Sequence, residues 1–174
     1  QAFDVSDLPA KVAGHVPLGT GEGELDLDSV LPAKERRKTD NFIIFGIGAA
    51  DIAIADSGLD LSNEETAERT GVMIGSGIGG LSTTEAQKEI LLNRGPSRMS
   101  PFTIPMLILN MASGVFSMYY NLRGPNVATC SACATATHAL GEAWRTIKMG
   151  DAEAIFAGGT EAAVVPMGIG GFAA

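Results

Sequence analysis

Apolar residues recur along this chain with two different periods, and the switches between them lay out its elements. Across residues 39–57, Phe42, Ile43, Phe45, Ile47, Ala50, Ile54 and Ala55 fall at helical spacing, with Gly58 placed to cap the end. Residues 71–75 form a short apolar run bounded by glycines, which predicts a buried strand. Ser82-Thr83-Thr84-Glu85 has capping-box spacing and predicts the start of a helix reaching about Leu92. A polar loop with Gly95, Pro96 and Pro101 follows. Pro105 then sits at the start of an apolar helix predicted to run to about Tyr120, where its missing N–H is harmless. Residues 127–130 are a candidate strand. Residues 134–149 form a candidate helix with an apolar face of Ala136, Leu140, Ala143, Trp144 and Ile147, ended by Gly150. Residues 153–157 predict a second buried strand, closed by Gly158-Gly159. Residues 1–31 read as irregular, apart from a short extended run at 11–16.

Strands that alternate with helices imply βαβ units and a sheet covered on both faces, hence an α/β fold. No short repeat and no linker divides the 174 residues, so one domain spanning 1–174 is expected, long enough to bury a sizeable core. Neither Gln1 nor Ala174, which follows an apolar glycine-rich stretch, reads as a natural terminus, so the domain is expected to be truncated at both ends.

Charge narrows the function classes. A net charge of −8 argues against a nucleic-acid binder. Against that background Lys34, Arg36, Arg37 and Lys38 form a local basic cluster, which is either a solvated helical face or a docking patch. No apolar run approaches the roughly 20 residues of a membrane span, and nothing at the start resembles a signal peptide. Two cysteines three residues apart build no disulfide framework, which points to a reduced, cytoplasmic setting. No metal site is expected.

Cys133 stands where a predicted strand hands over to a predicted helix. The unpaired N–H groups and dipole of a helix start favour an anion, and the thiolate is the nucleophilic form of cysteine. Its small neighbours Ser131, Ala132 and Ala134 leave room for a thioester. Position alone also admits a buried, inert cysteine. Cys130 and Cys133 together spell Cys-x-x-Cys, which admits a dithiol redox site, although the Trp and Pro surroundings of thioredoxin-like proteins are missing.

Five segments, spread over most of the chain, resemble the condensing enzymes of the thiolase superfamily, specifically type II β-ketoacyl-[acyl carrier protein] synthases. They are Gly75-Ser76-Gly77-Ile78-Gly79-Gly80-Leu81, Leu122-Arg123-Gly124-Pro125-Asn126, the stretch 132–141 around Cys133, Gly150-Asp151-Ala152, and Ala157-Gly158-Gly159-Thr160-Glu161-Ala162. Two departures stand out: Ser131 where that family usually has Thr, and Cys130 where it usually has a small Ser.

The resemblance implies a thiolase-like layered fold, αβαβα in the complete protein, with this chain as most of the N-terminal half. It implies that Cys133 accepts the acyl group, with its own N–H in the oxyanion hole, and that malonyl-carrier protein is then decarboxylated and condensed with it. It places Ile78 at the gate of the acyl pocket, Phe172 beside the entrance, and Ile108 and Met111 on a helix lining the pocket and the dimer interface. It assigns Lys34, Arg36, Arg37 and Lys38 to contact with acyl carrier protein, and it implies a homodimer. No cofactor is implied, because substrates ride on the carrier's phosphopantetheine. The family's catalytic histidines and lysine would lie beyond Ala174, and its first strand and following helix before Gln1, so this stretch alone is expected to be inactive. His15 is expected to be exposed, and His138 to face away from Cys133 as a structural residue. A polyketide-type ketosynthase would share Cys133; thiolase proper would not use the basic cluster.

Overall fold

A computed structural model describes residues 3–174; Gln1 and Ala2, the start of the predicted irregular segment, lie outside them. The elements in chain order are α1 (Leu27–Val30), α2 (Ala33–Arg36), α3 (Asn41–Ser57), α4 (Glu64–Arg69), β1 (Thr70–Gly75), α5 (Leu81–Arg94), α6 (Thr103–Leu107), α7 (Met111–Tyr119), α8 (Thr135–Lys148), β2 (Ala154–Gly159) and α9 (Pro166–Ala173).

β1 and β2 pair in parallel, with Thr70 opposite Ala154 and Gly75 opposite Gly159. Alternation along the strands assigns a helix layer to each face. Val72, Ile74 and Phe156 join the main core with Phe42, Ile43 and Ile47 of α3 and Ala112 and Phe116 of α7. On the other face Gly75 and Gly159 lie against Thr135 and Ala136 at the start of α8. The result is the α/β arrangement expected from the alternating pattern, with helices on both faces of a parallel pair. No helix among the described residues is long and apolar enough to cross a membrane.

α3 forms where the apolar spacing predicts it. Asp40 caps its start by accepting from Phe42 N–H at 3.3 Å, and Gly58 ends it in the left-handed conformation at φ +67°. Both predicted strands form; β2 is half-buried rather than buried.

Five expectations need correction. The segment 11–16 forms no strand; the local pairing there is an isolated bridge from Leu18 to Leu25. The Ser82–Glu85 capping box is not used. α5 starts at Leu81, two residues earlier than a helix capped by Ser82 would, and the hydroxyls of Ser82 and Thr83 donate instead to Asp40 at 2.6 Å each. Glu85 accepts from the backbone N–H of Met167.

The helix expected from Pro105 to Tyr120 is two helices. In a continuous helix the carbonyl of Leu107 would take the N–H of Met111. The glycine turn after β1 intrudes there: Gly80 N–H donates to Leu107 O at 3.1 Å, and Met111 N–H turns to Ile108 O at 3.2 Å. The candidate strand 127–130 is also absent. Val72 N–H donates to Pro125 O and Val127 N–H to Val72 O, so pairing with β1 begins. It stops because the buried Ser113 hydroxyl takes the next edge position, accepting from Ile74 N–H at 2.7 Å and lying 2.9 Å from Ile74 O and 3.1 Å from Val127 O.

The expected apolar face of α8 is rotated. Thr135, Ala139 and Ala143 are buried, while Leu140, Trp144 and Ile147 are 57%, 64% and 40% exposed. Small residues at a spacing of four let the helix approach the strand glycines closely, and the larger side chains point away.

Candidate active site around Cys133

Three backbone segments meet at the carboxyl ends of the two strands, the end at which open parallel α/β sheets place their ligands. β1 runs into the turn Ser76 to Gly80, β2 into Thr160-Glu161, and the segment 129–134 carries the cysteines into α8. Together with Phe172 of α9 they enclose a cavity of about 330 Å³, lined among others by Cys133, Ile78, Thr135, Ala136 and Glu161.

The cysteine loop is held from both ends by Thr135. Its buried hydroxyl accepts from Ser131 N–H at 2.9 Å, and its carbonyl accepts from the Thr129 hydroxyl at 3.0 Å. Between these ties Ala132 adopts φ +50°, a left-handed conformation that a residue with a Cβ rarely takes. Such strain persists only where surrounding contacts enforce it, and it clusters at functional sites. Cys133 follows directly, in a single 3₁₀ turn, Ala132–Ala134, ahead of α8. The thiol therefore sits at the helix entrance as the sequence anticipates, but just upstream of the first α-helical residue.

The two thiols have different surroundings. Cys133 lines the cavity, whereas the Cys130 thiol lies 3.7 Å from Gly77 O; both are free and exposed. His138 does not line the cavity. Its Nδ1 meets the Ser131 hydroxyl at 2.5 Å, tying the first turn of α8 to the cysteine loop. His15 is exposed, as anticipated.

Of the residues singled out by resemblance, Cys133, Ile78 and Phe172 come together at this cavity, with Phe172 78% exposed. Ile108 and Met111 do not line it. They flank the break between α6 and α7, where Met111 packs against the main core. In the basic cluster, Arg36 pairs with Asp28, and Lys38 pairs with Glu35 at 3.0 Å while sitting over the Phe102 ring. Lys34 and Arg37 are exposed and form no salt bridge among the described residues.

The family model described as β-ketoacyl synthase, N-terminal domain, matches residues 1–174. The chain belongs to the β-ketoacyl synthases. Curated relatives include the 3-oxoacyl-[acyl-carrier-protein] synthase 2 of Rhizobium meliloti, 45% identical over 99% of this chain and 41% of the relative. The protein of the same name from Coxiella burnetii is 48% identical over 99% of this chain and 40% of the relative. The chain thus spans about two fifths of the length of these relatives. Among solved structures it resembles a chain from the complex of a type II PKS acyl-carrier protein with its ketosynthase bound to the hexaketide, with a TM-score of 0.78 and 25% identity over 85% of this chain and 42% of that one. The ishigamide ketosynthase/chain length factor gives a TM-score of 0.66 and 25% identity, covering 91% of this chain and 43% of that one.

One feature of this ketoacyl-synthase domain was not assigned from sequence. Glu161, inside a recognised segment but given no role, grips the turn after β1: Oε2 accepts from Gly77 N–H at 3.0 Å and Ile78 N–H at 2.9 Å, and Oε1 accepts from the Ser76 hydroxyl at 3.2 Å. The available signal was a lone carboxylate in an otherwise apolar, glycine-rich segment directly after a predicted strand.

Proposed function

We propose that Cys133 is the acyl-accepting nucleophile of a β-ketoacyl-[acyl carrier protein] synthase of fatty-acid synthesis, an acyltransferase. The observation that carries this reading is the placement of Cys133 on a strained loop, in the wall of an apolar cavity at the strand ends. The Cys133 thiolate attacks the thioester carbonyl of an acyl carrier protein, the new C–S bond forms, and the phosphopantetheine thiolate leaves. Malonyl-carrier protein then loses CO₂, and the resulting carbon nucleophile attacks the acyl-Cys133 carbonyl. The β-ketoacyl product departs on the carrier and Cys133 is released as thiolate. Backbone N–H groups facing the carbonyl oxygen supply the electrostatic stabilisation, that of Cys133 among them.

The group to be accommodated is an acyl chain, and the cavity suits it: Ile78 and Phe172 line it beside Cys133. No bound cofactor is needed, since the substrates arrive on phosphopantetheine. Lys34 and Arg37, unpaired among the described residues, are the cations free to meet an acidic carrier, with Arg36 and Lys38 adding to the patch. The full-length protein is a homodimer with Ile108 and Met111, which lie away from this cavity, at its interface, and it works in the cytoplasm. The curated relatives, at 45% and 48% identity, favour fatty-acid over polyketide substrates, because the polyketide-type structures are more distant at 25%.

The test is labelling of the full-length protein with cerulenin, an electrophile that alkylates ketosynthase cysteines, followed by peptide mass spectrometry. Modification at Cys133 that is abolished by Cys133→Ala and kept in Cys130→Ala is the expected result. Labelling at Cys130 alone, or a Cys130–Cys133 disulfide that blocks labelling, would overturn the assignment in favour of a dithiol redox site.

A further inference from the structure

We infer that Glu161 is a positioning residue that sets which acyl chains the Cys133 cavity accepts, by fixing the turn that carries Ile78. The inference rests on the reading of Cys133 as acyl acceptor.

On the side facing the cavity the turn Ser76 to Gly80 is held chiefly by Glu161, with the Cys130 thiol 3.7 Å from Gly77 O as a weaker tie. Three of its polar groups end on the one carboxylate of Glu161: the N–H groups of Gly77 and Ile78, and the Ser76 hydroxyl. The Ser76 hydroxyl in turn accepts from Gly79 N–H at 3.0 Å, so the carboxylate anchors the turn from Ser76 to Gly79 directly or through Ser76, while Gly80 N–H is held by Leu107 O. Hydrogen bonds to a charged acceptor are the strong ones, and two converging on one oxygen fix direction as well as distance.

The turn is also pressed against the cysteine loop. A Cβ built on Gly77 would lie 3.3 Å from Ala132 Cα and 3.2 Å from Glu161 Oε2, so Glu161, the turn and the residue preceding Cys133 are in one packed stack. Ile78 projects from this stack into the cavity wall and is half-exposed there. A displacement of the turn therefore moves the Ile78 side chain relative to Cys133 and alters the space for an acyl chain. The loop that carries the thiol has ties of its own, through Thr135. Two supports for two functions predict a separable effect: loss of Glu161 alters which chains are accepted more than it alters the reactivity of the thiol.

The experiment uses the full-length protein and its Glu161→Ala, Glu161→Gln and Glu161→Asp variants. Intact-mass spectrometry follows acyl transfer to Cys133 from carrier-bound short, medium and long acyl chains, and iodoacetamide labelling of Cys133 measures the thiol alone. In Glu161→Ala, transfer of the preferred chain should fall by roughly ten- to a hundred-fold and the order of chain preference should change, with labelling kept within about twofold. Glu161→Gln should keep the wild-type order, because its amide oxygen still accepts from both N–H groups. Glu161→Asp, one methylene short, should behave like the alanine variant even though it keeps the charge; it also serves if Glu161→Ala fails to fold. An unchanged chain order in Glu161→Ala and Glu161→Asp, or a Gln variant as impaired as Ala, would overturn the inference. Hydrogen exchange of the Gly77 and Ile78 amides separates this from failure of the acyl-acceptor reading. Faster exchange in Glu161→Ala is expected whether or not Cys133 is acylated, and unchanged exchange overturns the anchoring role by itself.

Discussion

Asp40 Oδ2 lies 3.0 Å from the backbone N–H of Thr83 and 2.6 Å from its hydroxyl, although the two residues belong to the starts of different helices and stand 43 positions apart. The other oxygen of the same buried carboxylate caps α3 through Phe42 N–H. One side chain thus serves two helix starts, and α5 receives from a distance the cap that its own Gly80 cannot offer. Asp40→Ala removes both caps and leaves buried donors unpaired, and it is expected to lower stability by about 3 kcal/mol. Urea denaturation of wild type and variant measures this; a loss below about 0.5 kcal/mol would show the caps to be dispensable.

Gly75 marks the closest approach of β1 to the cysteine loop. A Cβ there would lie 2.3 Å from Thr129 O and 2.5 Å from Thr135 Cγ2, one of them backbone that cannot swing aside. Gly75→Ala should therefore push the loop out of place, lower stability by roughly 1–3 kcal/mol and sharply slow labelling of Cys133. Normal labelling kinetics in a folded Gly75→Ala protein would contradict this.

Thr135 holds the cysteine loop by a hydroxyl that accepts and a carbonyl that accepts. Thr135→Ser keeps both, so labelling of Cys133 should stay near the wild-type rate. Thr135→Val keeps the volume but leaves the Ser131 N–H without its partner, and a loss of about tenfold or more in acyl transfer is expected. Parallel rate measurements on the two variants decide it: equal rates would remove the hydroxyl from the account.

Asp51 and Tyr120 give the protein a predictable dependence on pH. Burial pushes the Asp51 carboxyl above its usual value of 3.8, opposed by the hydrogen bond from the Tyr120 hydroxyl. The folded state therefore holds this proton more tightly than the unfolded chain. Its contribution to stability is full below 3.8 and is lost as pH rises through the folded value. Tyr120 is raised by burial and then by Asp51, so its contribution is lost only as pH climbs beyond its ordinary value of 10.0. Asp51→Asn should flatten the decline of melting temperature above 3.8, and Tyr120→Phe should flatten the one above 10.0. Parallel curves for wild type and variants would show that neither group is linked to folding.

Much of the fold was legible because it is written locally. α3 follows from its apolar spacing and Gly58, and β1 and β2 follow from apolar runs bounded by glycine. Three of the failures share a different cause. The break after Leu107, the missing strand beyond Val127 and the unused capping box each arise because a group distant in sequence takes a hydrogen bond that local pattern would assign to a neighbour. The takers are Gly80, Ser113 and Asp40. At the candidate site, Cys133, Ile78 and Phe172 were legible through motif resemblance. Glu161 had no assigned role because two of its three partners are backbone N–H groups, which carry no residue signature. The apolar face of α8 was misread because composition ranks Leu140 and Trp144 as core, whereas close approach to glycine strands selects Ala139 and Ala143.

The clasp between Gly77 and Glu161 joins positions 84 residues apart, across the same long excursion that separates β1 from β2. Closing so long a loop carries a large entropic penalty before any contact repays it, and parallel pairing of this kind forms slowly. During synthesis the turn and Cys133 emerge well before β2 and Glu161 exist to complete the cavity wall. α3 and α7 both precede β2 and can pack together first, while the pocket waits for β2 and Glu161. Completion of the cavity is thus a late event in the life of the chain, and a nascent protein stopped short of Glu161 would expose its thiol before it had a cavity to place it in.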